Sequence, residues 1–196
     1  MNAIAMKRAA RDPTLESPSA PVARVDDPAA FRAMVLEHAP HLRRLVRSLG
    51  VPEPDLDDVS QEVFIVAHRR LQTFEGRSAL RTWLCGIAVR VASDFRAKGY
   101  RRREQPTDNP PAEAQNADQE LALERKRAWL LIEGLLGELS QEQREVFVLY
   151  ELGELSMPEV ARALECPQPT AYSRLYAARE QIERRMAQLR LTERTP

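Results

Sequence analysis

The chain has 196 residues, with 29 basic and 29 acidic side chains and a formal net charge of zero. That length holds one ordinary domain or two small ones, and seven glycines with 30% charged and 6% aromatic residues suit a helix-rich protein with small cores. No apolar run approaches the roughly 20 residues of a membrane-spanning helix, and no strand-like alternation of apolar and polar residues appears. Residues 1–13 have no apolar h-region, so no secretory signal is expected. Cys85 and Cys166 form no CxxC pair and read as buried or half-buried thiols in a reducing cytoplasm. His38 and His41 have no cysteine close by, so neither a zinc site nor a cofactor is expected.

Residues 1–24 are polar, rich in Ala, Pro and Arg, and read as a disordered tail. Asp27-Pro28 has the form of an N-cap followed by proline at the first helical position. The helix predicted next carries Phe31, Met34, Val35, Ala39, Leu42, Leu45, Val46 and Leu49, and Gly50 and Pro52 end it. Pro40 lies inside that pattern and is expected to kink the helix or split it in two. Glu53, Asp55, Asp57 and Asp58 lead into a second helix, whose dipole they favour by about 0.3–1 kcal/mol each.

In the second helix, Val59, Val63, Val66 and Ala67 fall at i, i+4, i+7 and i+8, on one stripe. Gln61, Glu62, Arg69 and Arg70 are left for solvent or a partner. Residues 72–77 (QTFEGR) break the period, with Gly76 as punctuation. A third stripe follows: Leu80, Trp83, Leu84, Ile87, Ala88, Val91 and Phe95, in which Trp83 reads as core rather than as a stacking platform. From residue 69 to 103, ten cations face only Glu75 and Asp94. In a neutral chain, cations gathered on one helix and its exit form a surface for a polyanion.

Residues 105–124 differ in character. Pro106, Pro110 and Pro111 stand among Asp, Asn, Glu and Gln, and 106–117 read as a flexible linker. Its acids either serve solubility or mimic nucleic acid inside a basic channel of a partner. The second domain starts near Leu121, with Trp129, Ile132, Leu135, Leu136 and Leu139 on one stripe. Ser140-Gln141-Glu142-Gln143 is a capping box opening a helix with Val146, Phe147, Leu149 and Tyr150, closed by Gly153. Ser156-Met157-Pro158-Glu159 is a second capping box, and its helix carries Val160, Ala161 and Leu164. Cys166-Pro167-Gln168-Pro169 makes a turn before a last helix with Ala171, Leu175, Ala178, Ile182, Met186 and Leu189 inward. Two short helices, a tight turn and a longer helix make a helix-turn-helix.

Two sets of blocks carry a family resemblance. Asp57-Asp58-Val59-Ser60-Gln61-Glu62-Val63-Phe64, Phe74-Glu75-Gly76 and Thr82-Trp83-Leu84-Cys85-Gly86-Ile87-Ala88 resemble region 2 of the extracytoplasmic-function (ECF, group 4) sigma factors of the sigma-70 family. Gly153-Glu154-Leu155-Ser156, Glu159-Val160-Ala161, Leu164-Glu165-Cys166-Pro167, Thr170, Ser173-Arg174-Leu175 and Ala178-Arg179 resemble region 4 of the same family. The resemblance implies an all-α fold. Two small helical domains, a region 2 bundle at 25–104 and a region 4 helix-turn-helix at 121–192, are joined by a flexible acidic linker at 105–120.

The implied function is that of a cytoplasmic RNA polymerase sigma factor. It binds core polymerase and directs promoter −10 and −35 recognition and DNA melting, without being an enzyme. The implied partners are the β′ clamp helices and β flap of core RNA polymerase, promoter DNA and an anti-sigma factor. Carried onto this sequence, Asp58, Gln61, Glu62, Phe64 and Ile65 face the clamp helices, with Arg69 and Arg70 nearby. Thr73, Phe74, Arg77, Ser78 and Arg81, backed by Arg90 and Asp94, hold an unstacked base at the −10 element. Arg96, Lys98, Arg101 and Arg102 contact phosphates.

In the last helix Thr170, Tyr172, Ser173, Arg174, Tyr176, Ala177 and Arg179 face the major groove at −35. The sequence departs from the family's pattern at Arg90, Pro169, Tyr172 and Ala177. The alternative is a helix-turn-helix regulator acting on duplex DNA without being a polymerase subunit, which leaves residues 55–103 without a role. A sigma-like adaptor that binds polymerase without opening DNA is a further one.

Overall fold

Asp27 opens the first helix as its spacing predicts. Its carboxylate accepts from the Ala29 N–H at 3.0 Å, and Pro28, which has no N–H to satisfy, takes the first helical position. The structure, a computed structural model, describes residues 27–76, 78–102 and 119–192. The tail expected at 1–24 and the linker expected at 106–117 lie outside the described residues.

Helix α1 runs from Pro28 to Ser48 without interruption at Pro40, so the expected split does not occur. Proline frees the carbonyl four residues back, here that of Leu36, and both residues lie on the exposed face where water can satisfy it. Helix α2 (Leu56–Arg70) follows a short 3₁₀ turn, and α3 spans Leu80–Arg102. Leu42, Leu45, Val46 and Leu49 from α1 and its end meet Leu56, Val59 and Val63 of α2 and Leu84 and Ala88 of α3. Each of these leucines and valines contributes about 1.5–3 kcal/mol by leaving water.

Helix α4 (Gln119–Gly137) starts two residues before the expected domain boundary, and α5 spans Gln141–Phe147. The Ser140 box is complete: its hydroxyl accepts from the Gln143 N–H, and the Gln143 side chain accepts from the Ser140 N–H. The predicted helix does not stay regular to Gly153. Residues Val148–Leu152 form a π-helical turn, with the Gly153 N–H donating to the Val148 carbonyl at 2.8 Å. Helices α6 (Met157–Ala163) and α7 (Gln168–Thr192) complete the chain, and Ala171, Leu175, Ala178 and Ile182 bury the predicted stripe of α7 against α5 and α6. One expected core position is corrected: Ile132 is exposed, beside Leu130 and Leu131.

The two halves do not stand apart. Their buried residues form one continuous cluster, and α3 lies between α1 and α2 on one side and α6 on the other. Beyond its predicted stripe, α3 therefore buries Thr82, Cys85, Val89 and Ala92. Gly86 lets α3 lie close to α6, since a Cβ there would sit 3.3 Å from the Ala163 carbonyl oxygen.

Candidate nucleic-acid interface

On α2 the stripe that faces α1 and α3 leaves Asp58, Gln61, Glu62, Arg69 and Arg70 in solvent, with Ile65 at the margin. Phe64 is the exception: expected on the partner surface, it is 8% exposed and packs in the core. The first-turn acids also have structural work. Asp57 and Glu53 accept from Arg43 at 2.8 and 3.0 Å, and Glu53 pairs with Arg47 at 3.0 Å. These pairs are exposed and add little stability.

The loop after α2 is shaped by local bonds. The Thr73 hydroxyl donates to the Arg70 carbonyl at 2.7 Å, and Gly76 takes a φ of 68°, which glycine adopts without strain. Phe74 and Trp83 pack ring on ring, centroids 5.0 Å apart and both half-buried, so Trp83 is a packing residue, as expected. Ser78 is half-buried, Asp94 and Lys98 are exposed, Arg77 lies outside the described residues, and Arg101 and Arg102 stand in the last turn of α3.

Three other cations of α3 meet groups of the C-terminal half, Arg90 while still exposed and Arg81 and Arg96 half-buried. Arg81 donates to the Gly153 carbonyl at 2.8 Å and lies 3.8 Å from the Glu154 carboxylate. Arg90 is ion-paired with Glu165. Arg96 approaches Glu145 to 3.6 Å, and burial pushes the Arg96 pKa down and that of Glu145 up. Between these pairs Thr82 donates to Glu159 at 2.9 Å and Gln141 donates to the Ser93 hydroxyl at 2.6 Å. A cleft of about 310 Å³ runs along this seam, lined by Val89, Arg90, Asp94, Gln141, Glu145 and Glu165. On the far side Arg47 lies over the Trp129 ring at 4.4 Å, tying α1 to α4.

The sequence reading missed the acidic partners Glu145, Glu154, Glu159 and Glu165. Only Glu159 carried a signal, as the third residue of a capping box; the others are legible only once the halves are packed.

On α7 Tyr172 and Tyr176 are 43% and 60% exposed and stack with centroids 6.3 Å apart. Ser173 is exposed and donates to the Thr170 carbonyl at 2.9 Å, while Thr170, Arg174 and Ala177 are half-buried. Arg179 differs from expectation. It turns inward, donating to Glu151 at 2.9 and 2.5 Å with its guanidinium 5.3 Å from the Tyr150 ring centre, and so braces the π-helical turn. Cys85 lies 4.0 Å from His41 Nε2, and burial pushes its thiol up to about 12, so it is not a reactive thiolate. No helix among the described residues is long and apolar enough to cross a membrane.

Residues 34–103 match the family Sigma-70 region 2, and residues 129–194 match Sigma-70, region 4. The ECF RNA polymerase sigma-E factor of Escherichia coli (strain K12) is 36% identical over 174 residues, covering 83% of this chain and 90% of the relative. The RNA polymerase sigma-H factor of Pseudomonas aeruginosa is 30% identical over 172 residues, covering 83% and 89%. In shape the chain is similar to CnrH, solved in complex with the cytosolic domain of CnrY (TM-score 0.60, 27% identity, 82% of this chain and 90% of that one). The sigma factor RpoE from Bartonella quintana, co-crystallised with the anti-sigma factor NepR, shares the fold (TM-score 0.59, 24% identity, 79% and 94%).

Proposed function

This chain belongs to the sigma-70 family, in its extracytoplasmic-function group, and from that membership we propose how its surfaces divide the work of a sigma factor. As a sigma factor it binds core RNA polymerase and promoter DNA in transcription initiation. Asp58, Gln61, Glu62 and Ile65 dock on the β′ clamp helices, with Arg69 and Arg70 at the edge. The carboxylate, amide and apolar groups suit a basic partner helix with an apolar ridge. Thr73, Ser78, Arg81, Arg90 and Asp94 serve the melted −10 element, and Arg96, Lys98, Arg101 and Arg102 its phosphates. Tyr172, Ser173, Arg174 and Tyr176 enter the −35 major groove, and the β flap is a second contact of the chain on core polymerase. The chain works by binding, and phosphoryl transfer belongs to core polymerase. The NepR complex of the Bartonella sigma factor supports a regulator of the anti-sigma class for this chain too.

The observation that carries this reading is that both family regions match in order, each on its own set of helices, with the acidic-amide face of α2 left in solvent. Run-off transcription with purified core polymerase and genomic fragments tests it. Specific transcripts are expected only when the chain is added, and none after deletion of residues 55–103. Transcripts that survive the deletion, or tight binding to duplex promoter without core, would favour a plain helix-turn-helix regulator.

A further inference from the structure

The seam between the halves is built from the residues assigned above to promoter DNA. Each of three α3 arginines meets a carboxylate from the C-terminal half: Arg81 with Glu154, Arg90 with Glu165, Arg96 with Glu145. Arg81 and Arg90 flank the face that contacts α6, and Arg96 closes its far end beside the Ser93–Gln141 bond. To an arginine, a carboxylate and a phosphate are alternative bidentate acceptors of the same charge sign.

The backbone supplies an independent sign. Glu154 and Glu165 have φ values of 57° and 51°, and they are the non-glycine residues with positive φ among those described. Both stand just past a helix end, where glycine or asparagine is ordinarily favoured because a Cβ is crowded in that conformation. Glutamate gains nothing from the turn itself. What the two share is that each sends its carboxylate to an arginine of α3.

Size adds a third argument. A packed chain of 196 residues has a radius of gyration of about 16 Å and so is roughly 40 Å across. Elements centred at −10 and −35 lie roughly 85 Å apart at about 3.4 Å per base pair. The packed form cannot engage both.

We propose that Glu154 and Glu165, with Glu145, are a phosphate mimic carried by the chain itself. They occupy in the closed form the arginines that DNA takes in the open form. The proposal rests on the reading of α3 as the −10 face. Opening the seam and binding single-stranded promoter DNA are then one competition for the same guanidinium groups.

The test uses the full chain without polymerase. The variant E154Q/E165Q is compared with E37Q/E183Q, which makes the same change of net charge at exposed positions away from the seam. Small-angle X-ray scattering reads the radius of gyration, and a fluorescein-labelled mixed-sequence single-stranded 20-mer reads binding. The seam variant is expected to expand by several ångströms and to bind the 20-mer roughly 5-fold or more tighter than the control. Equal radii would overturn the proposal whatever the binding, and expansion without tighter binding would overturn the masking. The swap R90E/E165R restores an ion pair of opposite sense; it is expected to be compact and to bind weakly, and an expanded swap variant would also overturn the proposal. Failure of the −10 reading shows elsewhere: in holoenzyme, R81A and R90A would then leave strand opening intact.

Discussion

Thr82 donates its hydroxyl to Glu159 Oε1 at 2.9 Å, and the other oxygen of that carboxylate accepts from the Ser156 N–H at 2.8 Å and hydroxyl at 2.6 Å. One side chain therefore starts α6 and ties it to a threonine that is 1% exposed on α3. Burial pushes the Glu159 carboxyl up, but the bonds from Ser156 and Thr82, with Arg162 nearby, outweigh it and hold the pKa below its ordinary value of 4.5. A depressed carboxyl stabilises the fold above its ordinary pKa, and that contribution disappears as pH falls through the lower, folded value. Glu159→Ala should cost about 1–3 kcal/mol at pH 7. In urea titrations the deficit should shrink below pH 4.5. A deficit that does not change with pH would mean that the charge on Glu159 is immaterial.

Arg96 and Glu145 show the opposite sign. Their side chains are 21% and 12% exposed, and some nitrogens of Arg96 have no protein acceptor. Burial raises the Glu145 pKa and so penalises the ionised carboxylate; the penalty is full above the raised value and is relieved as pH falls through it toward the ordinary value of 4.5. Removing one partner leaves the other charge half-buried and unpaired, so Glu145→Leu should cost about 2 kcal/mol or more. The double change Arg96→Met, Glu145→Leu should return close to wild-type stability by the same measurement. A double variant as unstable as the sum of the singles would show that the pair itself holds the seam.

Gly153 tests the turn that places Glu154. Its φ of −75° is ordinary, so alanine there is limited by space alone, and a Cβ would lie 2.6 Å from the Leu149 carbonyl oxygen. Backbone must shift to admit it. Gly153→Ala should cost about 1–3 kcal/mol. That corresponds to a Tm loss of roughly 2–4 °C per kcal/mol for a chain of this size. An unchanged Tm would show that the π-helical turn yields easily.

Much of this was legible because it is local. The Asp27 cap, both capping boxes and the stripe from Ala171 to Ile182 follow from spacing within one helix, and the region 2 and region 4 blocks read directly. What stayed hidden depends on contacts distant in sequence. Thr82 and Ser93 look like solvent positions until α6 and Gln141 arrive, and Arg81, Arg90 and Arg96 look free until their glutamates are in place. Arg179 read as outward because a helical wheel cannot show that Glu151 sits across from it. Pro40 misled for a related reason: its effect depends on whether the carbonyl it frees is wet.

The docking face of α2 gives a prediction about affinity rather than stability. Glu62 is exposed and its charge is not needed for the fold, so Glu62→Lys should leave the Tm within about 1 °C of wild type, as surface changes do. Against core polymerase in a competition assay it should weaken binding roughly tenfold or more, the range expected for reversing a charge at an interface. Unchanged affinity would move the clamp contact off Glu62.

On α7 the question is which side chains read bases and which only hold the backbone. Tyr172 and Tyr176 present a stacked, exposed aromatic pair, while Arg174 is half-buried on a different face of the helix, since residues two apart do not lie side by side. A bidentate guanidinium on a base edge discriminates by about 1–3 kcal/mol, whereas a phosphate contact weakens all sequences alike when lost. Arg174→Ala in holoenzyme should therefore lower initiation about tenfold or more from a promoter with its native −35 element. The loss should be far smaller from one with that element scrambled. Tyr172→Ala should behave in the same direction, with its effect carried by lost apolar contact in the groove. If Arg174→Ala reduces both promoters equally, Arg174 holds the DNA backbone, and −35 readout falls to Tyr172, Ser173 and Tyr176.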